Sequence, residues 1–477
     1  MSDTNINRNK RLYQLAESPV GKLLWQYSLP AVVGMLVVSL YNVADRVFIG
    51  QGVGPEAIAG LAVTLPVMNL SAALGVLVGG GAAARISVML GAGDTDNAFR
   101  TLGNALVMSV SIAIAYISVF ALFLDDILMA FGASAATLPY AHEFMVYMLP
   151  GFLLINVSLS FNNIMRASGY PMKAMIANFI GAGINVALDP IFIFWLDMGI
   201  KGASIATVIS MAISGIYVMM HFCRRDSTIH FRRGIYRLEG RIVWGIVAIG
   251  AAPSLINAAA SAVNAIINNS LLHYGGDTAV AAAGIFTTLS TLAVMAMSGI
   301  SQGMQPIVGY NYGAGHFHRM KHAYYLAVAA ASVVALISTA VGYLIPDLWA
   351  RAFTTSEALI DTTVNAFHLG FWAFWLVGFQ VISTTFFQSI GKAGKSIFLS
   401  LARQVIFLIP LMLLLPRTMQ LDGVWLAFPL GDVAATVCTA ALIIYQWPIF
   451  ARTPAHPSSS FTPHTLYTTI THIMPVS

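Results

Sequence analysis

Long apolar stretches without charge govern what this chain can fold into. Residues 101–124 and 323–345 contain no Asp, Glu, Lys or Arg. Each matches the ~20 residues a helix needs to cross a ~30 Å hydrocarbon core. Inside such a core every backbone N–H and C=O must be satisfied within the spanning structure, so runs of this length are read as helices. Composition agrees. Hydrophobic residues make up 58% of the chain and charged ones 9%, against about 25% charged in an ordinary soluble domain. There is too little charge to cover a water-facing surface and too much apolar character for disorder.

The expected fold is an all-α integral membrane protein with twelve transmembrane helices. Their limits are 25–49, 57–79, 101–124, 139–160, 172–194, 202–221, 243–272, 279–303, 323–345, 362–388, 396–415 and 423–446. The chain divides into an N-terminal segment (1–24), a six-helix lobe (25–221), a connection (222–242), a second six-helix lobe (243–446) and a flexible tail (447–477) rich in Pro, Ser, Thr and His. Residues 1–23 are mostly polar and show no secretory signal.

A formal charge of +5 would suit nucleic acid or another acidic partner, but the placement of the bases explains it better. Nineteen of the 24 Lys and Arg fall in one set of loops and termini, Arg85, Arg100, Arg166 and Arg319 among them. Lys201, Arg351 and Arg417 fall in the alternate loops, and Arg46 and Arg403 within spans. The positive-inside rule then puts both termini and the 222–242 connection in the cytoplasm, with the chain in the cytoplasmic (inner) membrane. No nucleic-acid partner is expected.

The two lobes repeat at an offset of about 222 residues. Gly91-Ala92-Gly93 returns as Gly313-Ala314-Gly315, Leu29-Pro30 as Ala252-Pro253, Asn42 as Asn264, and Ser168-Gly169 as Ala393-Gly394. With six spans per copy, both copies run the same way across the bilayer. Parallel repeats of this kind flank a cavity in secondary transporters; a channel is more often assembled from identical chains around a pore.

Ionisable groups inside spans are costly and mark function by default. Asp45 lies in span 1 and Asp189 in span 5, both in the outer half, so they can share a depth. Asn185 and Asp189 are four apart and share a helix face. Pro190 frees the carbonyl of Val186 as a further oxygen ligand. Two carboxylates drawn out of water together call for a proton or a cation, H⁺ or Na⁺. Once neutralised, the pair lets its helices repack. The competing reading makes Asp45 a fold-fixing partner of an internal base, and Arg46 is poorly placed because adjacent helical residues diverge by ~100°.

Asp432 in span 12 and Arg403 in span 11 are either a structural ion pair or part of a substrate or proton path. Asn264, Asn268 and Asn269 in span 7, with Gln302 and Gln305 at span 8, are expected to hydrogen-bond between helices. Position 267, where the repeat would place Asp45, is Ile, so coupling would be asymmetric. Glu143 reads as solvated, and Cys223 and Cys438 as packing or loop residues. His316, His318 and His322 share a loop with metal-like spacing but read as ordinary loop residues. Neither a cofactor nor an obligate protein partner is implied.

The segments Tyr41-Asn42-Val43-Ala44-Asp45-Arg46-Val47-Phe48-Ile49-Gly50, Ala57-Ile58-Ala59-Gly60, Gly91-Ala92-Gly93-Asp94, Arg166-Ala167-Ser168-Gly169, Asn185 to Pro190 and Gly199-Ile200-Lys201-Gly202-Ala203 form an ordered pattern. Through them the chain resembles the multidrug and toxic compound extrusion (MATE) transporters over about residues 15–446, in the style of the staphylococcal-type bacterial exporters. The resemblance implies proton- or sodium-driven export of cationic amphiphilic compounds, by rocking between outward- and inward-open states. It assigns a cation site to Asp45, Asn185, Asp189 and Thr207, and helix bending to Pro30. Asn42, Asn264, Gln302, Arg403 and Asp432 are candidates for the substrate cavity or its gating. Some relatives carry acidic residues in spans 7 and 10, where this chain has Asn257, Asn264 and Gln380, so the N-terminal lobe is the expected site of coupling.

The nearest rival is a flippase for lipid-linked saccharide or peptidoglycan precursors. It should hold more cations in its cavity for pyrophosphate than Arg46 and Arg403 supply. A membrane enzyme would gather acid, base or metal-binding groups at a membrane face, and the loops show no such group. The chain is therefore expected not to be an enzyme.

Overall fold

The computed structural model describes residues 14–452. Arg8, Lys10, Arg11 and most of the expected tail lie outside the described residues. Every regular element among those described is helical, with no strand. Nine helices are long and apolar enough to cross a bilayer, and two further pairs, Leu138–Met148 with Gly151–Ala167 and Glu357–Gly370 with Phe374–Ser389, each form one span bent by 61° and 53°. One of the nine, Gly240–Gly313, is 74 residues long and is broken at Gly276 (φ 63°, ψ −164°).

That break divides two spans. At ~1.5 Å per residue an unbroken helix of this length would be over 100 Å long. Yet its start and finish lie against the same end of one neighbour, span 2 (Pro55–Gly91). Ile246 packs on Gly81, and Gly313 on Val88. The chain therefore turns back at Gly276, and the spans number twelve. Their order is span 1 (Val20–Gly52), span 2, span 3 (Thr95–Leu122), the first bent pair as span 4, span 5 (Pro171–Trp195) and span 6 (Gly199–Cys223). The second lobe follows with spans 7 and 8 on either side of Gly276, span 9 (Phe317–Leu344), the second bent pair, span 11 (Ala393–Leu414) and span 12.

Left-handed turn residues carry the repeat into the backbone. Gly54 and Gly276, Gly93 and Gly315, and Gly169 and Gly391 all have φ between 63° and 120°, and each pair is 222 residues apart. The mate of Gly169 is therefore Gly391 and not Gly394, two residues further from Ala393-Gly394 than the sequence alignment placed it. The bends in spans 4 and 10 also fall at matching positions, which a count of apolar residues does not reveal.

The lobes meet at the end of the bundle that carries the two described chain ends, and they do so with two-fold regularity. A Cβ on Gly91 would overlap the Tyr310 backbone, and a Cβ on Gly313 the Val88 backbone. Both members of one contact are 222 residues from both members of the other. Gly81 against Ile246 and Gly250 is likewise mirrored by Gly303 against Ser28. Lipid gives little hydrophobic drive between helices, so close backbone approach through small residues is how such surfaces adhere. The core shows the same exchange: Leu23, Leu24 and Tyr27 of span 1 pack into the second lobe, while Ile242 and Ile246 of span 7 pack into the first.

Three readings of the sequence change. Arg85, Arg166 and Arg319, counted as loop bases, stand on helices, because spans 2, 4 and 9 extend beyond their apolar cores. His318 and His322 sit on the first turns of span 9, and no group of three metal-ligating side chains occurs among the described residues. Span 12 continues as helix to Arg452, taking in the first residues of the expected tail.

The connection between lobes is docked on the first lobe. Ile229 and Ile235 are buried there, Asn104 Oδ1 accepts from the Glu239 N–H at 2.9 Å, and Asn104 Nδ2 donates to the Arg237 carbonyl at 3.1 Å. Arg232 pairs with Asp96 at 2.6 Å and holds that carboxyl below the usual carboxylate range.

Candidate functional site

Spans 1, 5 and 6 place four polar groups together inside the first lobe. Asn185 Nδ2 donates to Asp189 Oδ1 at 3.3 Å and to Thr207 Oγ1 at 3.2 Å. The Thr207 hydroxyl donates in turn to the Ala203 carbonyl at 3.0 Å. Asp189 is fully buried and Asn185 nearly so. The carboxyls of Asp45 and Asp189 face each other at hydrogen-bonding range. Ionised carboxylates only accept hydrogen bonds, so direct contact between them requires a shared proton.

Three oxygens of this cluster, Asp45 Oδ1, Asp189 Oδ2 and Asn185 Oδ1, are buried with no hydrogen-bond partner. Buried acceptors left open in this way are costly. The chemistry of this donor set fits one small cation, either H⁺ or a hard ion such as Na⁺ that takes oxygen ligands. Local sequence produces the geometry: the i,i+4 spacing puts Asn185 and Asp189 on one face, and Pro190 ends the regular helix there. A wider π-helical turn follows at Ile191–Trp195, a form that clusters at functional sites.

A cavity of about 200 Å³ opens over the cluster. Tyr41, Asn42, Asp45, Arg46 and Thr207 give it polar walls, and apolar side chains that include Phe144 and Phe152 complete it. Tyr41 also stands within electrostatic reach of both carboxyls. Sequence reasoning passed over it, although its place four residues before Asp45 puts it on the same helix face. Asn42 donates to the Val38 carbonyl at 2.9 Å.

The other candidates lie elsewhere. Arg403 Nε donates to Asp432 Oδ1 at 2.6 Å, so those two form an ion pair in the second lobe. Gln380 Nε2 braces the pair through the Asp432 carbonyl and Thr436 Oγ1, both at 2.6 Å. Arg403 itself sits in a π-helical segment, Ala402–Leu408. Asn264 is exposed on span 7, and no hydrogen bond joins it to either cluster among the described residues. Pro30 is buried within span 1. Gln302 belongs to the junction between lobes: its side-chain oxygen accepts from Arg166, which also donates to Asn162 Oδ1 at 2.9 Å. The sequence gave no sign that Arg166, 7% exposed, was buried between lobes.

Two six-span lobes related by a parallel repeat, with a carboxyl pair inside one of them, define a two-lobed polytopic membrane transporter. The family follows from direct comparison. The MatE family model matches residues 30–191 and again 253–414, once per lobe, and the chain belongs to that family. The multidrug export protein MepA of Staphylococcus aureus is 25% identical over 441 residues, spanning 92% of this chain and 96% of its own. MepA of Staphylococcus haemolyticus is 25% identical over 442 residues with the same coverage. Among solved structures, a MOP superfamily transporter from Pyrococcus furiosus superposes with a TM-score of 0.86 at 25% identity, covering 92% of this chain and 98% of that one. A MATE protein in a straight conformation gives 0.86 at 26% identity, with 92% and 99% covered.

Proposed function

We propose that this protein is a secondary antiporter that exports cationic amphiphilic compounds in exchange for H⁺ or Na⁺. The observation that carries the reading is the facing pair Asp45 and Asp189, left with open acceptor oxygens in an apolar lobe. In the proposed cycle the coupling cation enters from outside and occupies Asp45, Asn185, Asp189 and Thr207. Neutralising the carboxyls lets spans 1 and 5 repack and release the exported compound outward. The lobes then part at the end where Gly91 meets Tyr310, and the cavity faces the cytoplasm. Both termini lie in the cytoplasm and the bilayer is the cytoplasmic membrane, as the distribution of bases supports.

The flippase reading loses support because Arg403, one of the two intramembrane cations it would use, is engaged by Asp432. Ethidium efflux from energised vesicles, with the pH and sodium gradients imposed separately, tests the proposal. Efflux should follow one gradient and be lost in Asp45→Asn. Efflux that needs neither gradient, or that survives unchanged in Asp45→Asn, would overturn it.

A further inference from the structure

Arg46 points to a finer specificity of the same cavity. It stands next to Asp45 in span 1 and lines the cavity over the carboxyl pair, yet it makes no ion pair or hydrogen bond among the described residues. The Asp45 carboxyl is directed to Asp189, since neighbours on a helix diverge by ~100°. The cavity wall thus carries two separated charges of opposite sign, the carboxyl pair on one side and a free guanidinium on the other, with Phe144 and Phe152 among the apolar residues between. Arg403, the other cation within a span, is engaged by Asp432, so the second lobe has no comparable free cation at its polar cluster.

A guanidinium presents a rigid fork of donors suited to a carboxylate. A permanent organic cation would gain nothing from it and would meet like-charge repulsion. We infer that Arg46 is the specificity-determining anchor for zwitterionic amphiphiles, compounds with an ammonium group and a carboxylate on a flat apolar body. The ammonium lies toward Asp45 and Asp189, the flat body on the aromatic wall, and the carboxylate on Arg46. The inference deepens the exporter reading and rests on it.

The test compares a fluoroquinolone acid, a zwitterion near neutral pH, with its methyl ester, which keeps only the amine. Efflux from energised vesicles and equilibrium binding to the purified protein are both measured, and the readout is the acid-to-ester ratio. Losing one charge-assisted contact should lower that ratio about tenfold or more in Arg46→Gln. Arg46→Lys, which keeps the charge without the fork, should recover part of it. An unchanged ratio in Arg46→Gln, with both compounds still bound and exported by the parent protein, overturns the inference alone. Parent protein that exports neither compound nor ethidium under any gradient overturns the exporter reading and this inference with it.

Discussion

The two-fold contacts at the closed junction make a prediction that a list of buried residues would not. Gly91 and Gly313 each lie so close to a backbone carbonyl of the opposite lobe that a single added methyl overlaps it. Gly91→Ala and Gly313→Ala should therefore act alike. Alanine is otherwise favoured over glycine in a helix by roughly 0.8–1 kcal/mol, so any penalty arises at the junction. Forcing one methyl into a packed contact costs about 1–3 kcal/mol. An arrangement in which the lobes have separated there does not bear this cost. The equilibrium should move toward that arrangement by about 5- to 150-fold for each variant. Ser87, buried beside Gly309, offers a reporter. With Cys223 and Cys438 replaced by Ser, a Ser87→Cys protein in detergent is treated with a maleimide. Labelling should accelerate in both glycine variants and remain unchanged in Gly183→Ala, whose Cβ meets nothing within 4 Å. If only one variant opened, or neither did, the two-fold seal would be refuted.

The remaining predictions use the same physics. Arg166→Ala removes the link to Gln302 and should raise Ser87→Cys labelling in the same direction; unchanged labelling would mean that the link does not hold the lobes. Asp189→Asn should abolish gradient-driven ethidium efflux while ethidium still binds, as followed by fluorescence; retained coupling would sink its assigned role. Asp432→Asn, by stranding Arg403, should cost about 3–5 kcal/mol of stability, seen as a lower melting temperature in detergent. Combining it with Arg403→Gln should restore much of the loss, and two additive losses would contradict a structural pair. Asn104→Ala removes two contacts that hold the connection, at about 1–3 kcal/mol, and should speed tryptic cleavage at Arg232, Arg233 and Arg237.

Much of the fold was legible because lipid enforces simple rules. Spans such as 101–124 announce themselves by the absence of charge, and the 222-residue offset by Gly91 and Gly313. Within the candidate site, Asp45, Asn185 and Asp189 stood out for the complementary reason, since carboxylates are rare where apolar packing is the rule. Other features had no local signal. A span bent at Pro150 contains the same apolar residues as a straight one, so the bend did not show. Arg166 stands beside a loop in sequence and between lobes in space, and nothing in its neighbours tells which. Ala393-Gly394 looked like the mate of Ser168-Gly169 because residue identity was compared; the left-handed backbone at Gly391 is what corresponds.

The packing is two-fold while the polar content is not, and the difference bears on how one cation can move the whole molecule. At the junction Gly91 and Gly313 contribute alike, so opening there breaks matched contacts together and favours two arrangements over a continuum. Such an element needs only one input. The first lobe holds Asp45 and Asp189 with acceptors left open, a cluster whose charge changes when a cation binds. The second lobe has Ile267 where its Asp45 would stand, and its acid, Asp432, is already met by Arg403. That pair keeps its charge balance whether or not a cation enters the first lobe. On the proposed cycle, then, the second lobe serves as the fixed counterpart against which the first repacks. Placing a carboxylate at position 267 should add a second cation-binding step and steepen the dependence of efflux on the driving gradient.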